Sequence, residues 1–291
     1  MLIERDLRIR IAADAKRVAE EALAEDGGKD ITTAVCLAPE QFGTGMIEFK
    51  SGGVLAGMPY ADAVAEACSL LPVTWYHAAG LVVPAGTTIG SLQGDLADIL
   101  RAERPILNLL QRACAIATAT RAYVEAVQGT RARILHTRKT APGLRLLDVT
   151  AVLAGGGHLH RLDLATTVMV KDNHWRALER SGKTLKAALE QVHALGLSDC
   201  YVEVESVEQL EQACAAGATR LLLDNQTPAT VRTWAREARA RNPDIEVEAT
   251  GGITLATVRA YAEAGADCIS LGALTHSVKA ADISLEVTMD D

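Results

Sequence analysis

Cationic and imidazole side chains recur in the second half of the chain, each directly after a short apolar run: Arg138 with Lys139, His160 with Arg161, then Lys171. Carboxylates follow the next runs, Glu203 with Glu205 and then Asp224 beside Asn225. The last runs end in Thr250-Gly251-Gly252 and in a segment from Gly272 to His276. Guanidinium forks bind carboxylates and phosphates through two parallel hydrogen bonds, while acidic side chains hold Mg²⁺ or sugar hydroxyls. A site owning both sets suits a polyanionic substrate. Glycines permit close backbone approach, and the first turn of a helix presents free N–H groups with a partial positive charge. Glu248-Ala-Thr-Gly-Gly-Ile253, running into a helix expected to begin near Thr254, therefore reads as a phosphate loop, and so does Ser270-Leu-Gly-Ala-Leu-Thr-His276.

Other readings of these residues stand beside this one. Strand-end charges also serve as salt bridges. His158 and His160, two apart on an extended segment, would share one face and could ligate a metal in a hydrolase; the cation-rich neighbourhood, Arg161 above all, is a poor home for Zn²⁺. Gly155-Gly156-Gly157 lacks the spacing of a dinucleotide loop and follows a helical pattern, so it is assigned no nucleotide role. A barrel that binds a phosphate ligand without catalysis is a further alternative. No motif of a covalent nucleophile is present.

The elements that must position these groups alternate. Short apolar runs lie at Ile134-Leu135, Val168 to Val170, Tyr201 to Val204, Leu221 to Leu223, Ile245 to Val247 and Cys268 to Leu271, with His158 to Arg161 as a weaker seventh. Amphipathic stretches such as Thr184 to Leu195, Val207 to Ala216 and Thr254 to Ala264 separate most of them. Strands alternating with helices predict βαβ units and a parallel sheet, and the short buried runs favour an irregular, seven-stranded α/β barrel of the TIM type. In such a barrel the carboxyl ends of all strands share the face that carries the active site. The first part reads as an α+β sandwich: a helix from Leu7 to Glu25, β-like runs at Gly45 to Lys50, Gly53 to Gly57 and Gly80 to Val83, and a helix from Tyr60 to Ser69. A long helix from Pro105 to about Val127 leads into the barrel. The domains are accordingly 1–110, with 277–291 returning to it, and 111–276.

Composition narrows the classes further. The chain has 291 residues, 49% of them hydrophobic, which excludes a disordered chain. Only 3% are aromatic, so the core must come from small aliphatic side chains. With 37 acidic against 29 basic residues and a net charge of −8, the surface has no general attraction for nucleic acid or anionic membranes. No stretch reaches the ~20 apolar residues that span a bilayer. The N-terminus lacks the apolar core of a secretory signal, predicting a cytoplasmic protein. Six scattered cysteines without C-x-x-C spacing predict reduced core thiols.

Taken in order, these motifs resemble a known family, the quinolinate phosphoribosyltransferases, or nicotinate-nucleotide pyrophosphorylases (carboxylating). The resemblance runs through Asp30-Ile-Thr-Thr33, Gly53-Val-Leu-Ala-Gly57, Glu103-Arg-Pro-Ile-Leu-Asn-Leu-Leu-Gln-Arg112 and Ile116-Ala-Thr-Ala-Thr120. It continues through Thr137-Arg-Lys-Thr-Ala-Pro-Gly143, the triple glycine with His160-Arg161, Lys171-Asp-Asn-His174, Val202-Glu-Val-Glu205, Leu222-Leu-Asp-Asn225, Gly251-Gly-Ile253 and Gly272-Ala-Leu-Thr-His-Ser277. The resemblance implies an α/β sandwich plus a seven-stranded barrel. It implies a Mg²⁺-dependent reaction in which quinolinate and phosphoribosyl pyrophosphate give nicotinate mononucleotide, pyrophosphate and CO2. Arg138, His160, Arg161 and Lys171 would bind the quinolinate carboxylates, joined by Arg104 from the partner subunit of a homodimer. Lys139, Lys171, Glu203 and Asp224 would be the catalytic set, the two acids also serving Mg²⁺. Thr250, Gly251, Gly252, Gly272 and His276 would surround the 5′-phosphate.

The chain departs from the family pattern at His136, Leu159, Asp163, Thr166 and Tyr201. These flank the catalytic positions, and the cluster from Leu159 to Thr166 could reshape the pyridine wall. A related pyrophosphorylase-like protein, of the type encoded with molybdate transport genes and acting on a different substrate, is therefore the runner-up.

Overall fold

The computed structural model describes residues 2–38 and 40–289. In chain order the elements begin with α1 (Leu2–Glu25), α2 (Ile31–Cys36), β1 (Phe42–Phe49), β2 (Gly53–Val54), α3 (Met58–Ala67), β3 (Thr74–Trp75), β4 (Val82–Val83) and β5 (Thr87–Asp95). They continue with α4 (Leu96–Ala126), β6 (Arg133–Leu135), α5 (Arg145–Ala154), β7 (Val168–Val170), α6 (Asp172–Ser181), α7 (Leu185–Ala194), β8 (Cys200–Val204) and α8 (Val207–Ala215). The rest are β9 (Arg220–Asp224), α9 (Pro228–Arg241), β10 (Glu246–Thr250), α10 (Val258–Glu263), β11 (Cys268–Ser270), α11 (Ala273–His276) and β12 (Ile283–Met289). Together they form two compact units. The first holds residues up to 121, 140–156 and from 274 onward; the second holds 122–139 and 157–273. The division falls within α4, as expected, but at residue 121 instead of 110, and 140–156, which the strand-helix alternation had put in the barrel, groups with the first unit.

The first unit is built on an antiparallel sheet in the order β12-β1-β5-β3. Burial along β1 alternates with period two, placing Ile47 and Phe49 on the core face. From α1 the unit buries Ala15, Val18, Ala19 and Leu23, and from α3 it buries Tyr60, Ala61, Val64 and Ala65. The Tyr60 hydroxyl donates to Asp14 Oδ2 at 2.8 Å, which satisfies a buried polar end. Helix α4 starts nine residues before Pro105, because its buried stripe (Leu96, Ile99, Ala102, Ile106, Leu109, Leu110, Ala113) continues on both sides of the proline. The side chain of Asp95 accepts from Ala97 N–H at 2.9 Å and caps that earlier start. Burial of both flanks outweighs the one hydrogen bond that Pro105 cannot make.

The second unit is a six-stranded parallel sheet in the order β6-β11-β10-β9-β8-β7. Its strands are buried nearly throughout, as expected when helices follow each strand. Among the described residues no seventh strand forms: His158 makes only an isolated parallel bridge with Leu135, its N–H donating to Ile134 O at 2.8 Å. After that single rung the ring nitrogens of His160 turn to partners off the ladder, and residues 162–166 run through turns instead of extending. By hydrogen bonding among the described residues the sheet is a six-stranded ladder running from β6 to β7, with the His158 rung added beside β6. Helix α10 also begins later than expected, at Val258. Residues 254–257 form a turn in which Thr257 Oγ1 accepts from Thr254 N–H at 3.0 Å.

Candidate active site

A cavity of about 520 Å³ opens at the carboxyl ends of the parallel strands, and all six contribute to it. Thr137, Arg138 and Lys139 follow β6, Lys171 and Asp172 follow β7, and Glu203 is the penultimate residue of β8 with Glu205 just beyond it. Asp224 closes β9, Glu248 and Thr250 lie on β10, and Ser270 closes β11. His160 and Arg161 complete the wall. This convergence is what parallel strands give for free: every carboxyl end points to one side. A larger groove of about 740 Å³ lies among α6, α7 and α8, but it gathers helix surface rather than strand ends.

The cationic side of the cavity is underneutralised. Among the described residues no carboxylate pairs with Arg138 or Arg161, and Arg138 Nε is buried without a hydrogen-bond partner. Burial, and then the like charge of Arg138, lower the pKa of Arg161. Two guanidinium groups held close with no counter-ion form a binding site for an anion that brings two negative charges. Arg161 Nη1 donates to Thr167 O at 3.4 Å, which leaves most of its fork available.

The acidic side is ordered by the segment after β7. Lys171 Nζ meets Glu203 Oε2 at 3.2 Å. Lys171 N–H donates to His174 Nδ1 at 3.0 Å, and Trp175 Nε1 donates to the Glu203 carbonyl at 2.8 Å. The Lys171-to-Trp175 turn therefore fastens the start of α6 to the end of β8. Asp224 accepts from Asn225 Nδ2 at 2.8 Å, and Asn225, at φ 55°, is held by its own N–H to Thr250 O at 2.9 Å. Gly251 follows at φ 82°; a Cβ there would lie 2.3 Å from Asn225 Oδ1, so only glycine fits.

Of the residues singled out in the sequence, Arg138, Lys139, His160, Arg161, Lys171, Glu203, Asp224 and Thr250 line this one cavity. Gly251, Gly252 and Gly272 are in the same unit, in the loops directly after β10 and β11, but outside the lining. Arg104 and His276 belong to the first unit. The Arg104 side chain is 65% exposed with Glu103 at 3.9 Å, and His276 Nδ1 lies 2.5 Å from Ser277 Oγ. His158 is exposed while His160 faces inward, so the two make no ligand pair, and the described residues contain no group of three or more metal-binding side chains. Leu159, Asp163 and Thr166 do not line the cavity; Asp163 caps its own turn, accepting from Ala165 N–H at 3.0 Å.

Sequence reasoning missed Glu248. It is fully buried on β10, its Oε2 3.2 Å from His160 Nε2 and 3.0 Å from Arg220 Nη1. Arg220 in turn reaches Glu246 Oε2 at 2.6 Å and stacks 4.2 Å over the ring of Tyr201. The available signal was an acid set between Val247 and Ala249 in an apolar strand, which demands an inward partner.

The family model of the quinolinate phosphoribosyl transferase N-terminal domain matches residues 30–114, and that of the C-terminal domain matches residues 116–286. A Bacillus subtilis protein named "Probable nicotinate-nucleotide pyrophosphorylase (carboxylating)" is 40% identical over 95% of this chain and 94% of its own. The nicotinate-nucleotide pyrophosphorylase (carboxylating) of Mycobacterium leprae is 36% identical over 94% of this chain and 97% of its own. The solved nicotinate-nucleotide pyrophosphorylase of Francisella tularensis superposes with a TM-score of 0.87 at 33% identity, covering 95% of this chain and 97% of that one.

Proposed function

The chain belongs to the quinolinate phosphoribosyltransferase family, and from that premise we propose how the residues of the charged cavity divide the reaction between them. The reaction joins quinolinate to phosphoribosyl pyrophosphate and releases nicotinate mononucleotide, pyrophosphate and CO2 in de novo NAD biosynthesis. The observation that carries the division is the Arg138 and Arg161 pair, two cations without carboxylate partners among the described residues, lining one cavity with Glu203 and Asp224.

Arg138 and Arg161 take the two carboxylates of quinolinate, with Lys171 beside them. Fixing the pyridine plane aims its ring nitrogen at the sugar carbon, and this orientation is a large part of the catalysis. Glu203 and Asp224, on neighbouring strands β8 and β9, accept the ribose hydroxyls and stabilise the positive charge that develops as pyrophosphate leaves. Lys139 offsets the charge of the departing pyrophosphate. Once the ring nitrogen carries the sugar it is positive, and it accepts the electron pair released when CO2 leaves. The 5′-phosphate goes to the Thr250 hydroxyl and the backbone at Gly251, Gly252 and Gly272.

Two carboxylates are a partial donor set, and they suit Mg²⁺, which is commonly held by one or two acids together with substrate phosphates. Glu203 and Asp224 are the residues that would hold it. When bound, the cation supplies charge neutralisation at the pyrophosphate. The functional unit is a homodimer, in which Arg104 of one subunit completes the quinolinate site of the other. The exposed guanidinium of Arg104, with its nearest carboxylate at 3.9 Å, supports this reading.

The deciding experiment follows pyrophosphate and CO2 release with quinolinate, nicotinate and other pyridine carboxylates supplied separately with phosphoribosyl pyrophosphate. Stoichiometric release of both products with quinolinate alone is expected. Turnover of a monocarboxylate at a comparable rate would remove the two-guanidinium assignment.

A further inference from the structure

The buried carboxylate of Glu248 has no place in the division above, yet it is joined to the quinolinate site by an unbroken line of hydrogen bonds. Arg161 N–H donates to His160 Nδ1 at 2.8 Å, so that nitrogen carries a lone pair. The proton of the ring is therefore on Nε2, which faces Glu248 Oε2 at 3.2 Å. One tautomer satisfies both contacts. The ring is further fixed by the edge of Tyr201, 5.7 Å away, and Tyr201 is itself covered by Arg220. Burial would raise the pKa of Glu248, but the hydrogen bond from His160 and the charge of Arg220 outweigh it and leave the acid ionised.

We infer that Glu248 is a positioning residue for quinolinate: acting through His160, it fixes the backbone of Arg161 and so the direction of the guanidinium that takes a carboxylate. The inference rests on the role given to Arg161 above. A buried acid is well suited to this task, because Arg220, from the neighbouring strand, compensates its charge. The same arrangement accounts for the order His160-Arg161: the braced backbone group belongs to the residue whose side chain must be aimed.

The test separates the KM values of the two substrates. Glu248→Leu removes the acceptor, and the KM for quinolinate should rise by about tenfold, the scale of one orienting hydrogen bond. The KM for phosphoribosyl pyrophosphate should stay within about twofold. Glu248→Gln, whose carbonyl oxygen can still accept from both His160 and Arg220, should restore most of the quinolinate affinity. An unchanged quinolinate KM in the Leu variant, or an equal rise in both KM values, would overturn the inference; the second result would place Glu248 against the sugar or in general stability. Should the Leu variant fail to fold, a pair at His160 decides. His160→Asn keeps an acceptor where Nδ1 stands, whereas His160→Gln keeps only a donor toward Glu248. The Asn variant should hold quinolinate more tightly, and equal or reversed affinities would count against the brace. Arg161→Ala is measured alongside: if it leaves the quinolinate KM unchanged, the role of Arg161 fails independently of Glu248.

Discussion

Arg161 is costly to hold beside Arg138, since burial and then the like charge of Arg138 lower its pKa. Arg161→Ala should therefore lose turnover by on the order of a hundredfold or more through lost orientation, yet melt no lower than the parent protein without substrate. A steady-state assay paired with a thermal melt checks both halves, and a drop of several degrees would mean that Arg161 also holds the fold. Lys139→Ala should likewise lose nearly all turnover with its fold intact. The thiols behave oppositely. Burial pushes the Cys114 thiol up to about 12 and the Cys268 thiol up to about 11, whereas Cys36 is exposed. Alkylation of the native protein near neutral pH should modify Cys36 first and leave Cys114 and Cys268 until the chain unfolds, as peptide mapping would show. At this scale the cations at strand ends were legible, because a charge after an apolar run marks the end of burial. Glu248 and Arg220 were not, because their partners are set by the register of β9 against β10 and by the return of His160, neither of which is written locally.

Among the elements, the middle of α4 and the start of α5 are tied by one ion pair. Arg112 grips Asp148 with two hydrogen bonds of 2.7 Å and also donates to the Thr275 carbonyl at 2.9 Å. Asp148 is fully buried and accepts from Ala141 N–H at 3.1 Å as well. Asp148→Ala leaves a guanidinium without its partner and should cost about 3–5 kcal/mol. Urea unfolding measures this, and a loss below about 1 kcal/mol would show that the pair is replaceable by water. Gly251→Ala should disrupt the loop after β10, because its Cβ has no room beside Asn225; a raised KM for phosphoribosyl pyrophosphate is the expected readout. The short strands of the parallel sheet were legible to within a residue or two at most ends, since each is a buried apolar run between polar groups. The early start of α4 was hidden by Pro105, whose helix-start preference is a local rule that burial on both sides overrides. The missing seventh strand was hidden because pairing depends on what lies opposite: after one rung at Leu135, the backbone at Arg161 bonds to a side chain instead of a neighbouring strand.

For the molecule as a whole, a net charge of −8 coexists with a cavity lined in part by Arg138 and Arg161, which pair with no carboxylate among the described residues. The acidic excess discourages nucleic acid and other polyanions in general, while a dianion small enough for about 520 Å³ meets a local cationic wall. The small aliphatic composition was informative at this scale, and the grouping of residues 140–156 with the first unit was not, since it depends on contacts far apart in the chain. Arg104 extends the argument to the assembly. If each quinolinate site borrows Arg104 from the other subunit, then Arg104→Ala and Lys139→Ala homodimers are both inactive, each failing at every site. Mixed dimers differ. The subunit with an intact Lys139 receives an intact Arg104 from its partner, and the other pocket lacks both. Random exchange makes half the dimers mixed, so equal mixing should recover about a quarter of the parent activity, as a closed two-fold assembly requires. Subunit exchange, followed with differently tagged chains, must accompany the assay. Full exchange without recovery would place Arg104 at its own subunit's site or outside catalysis.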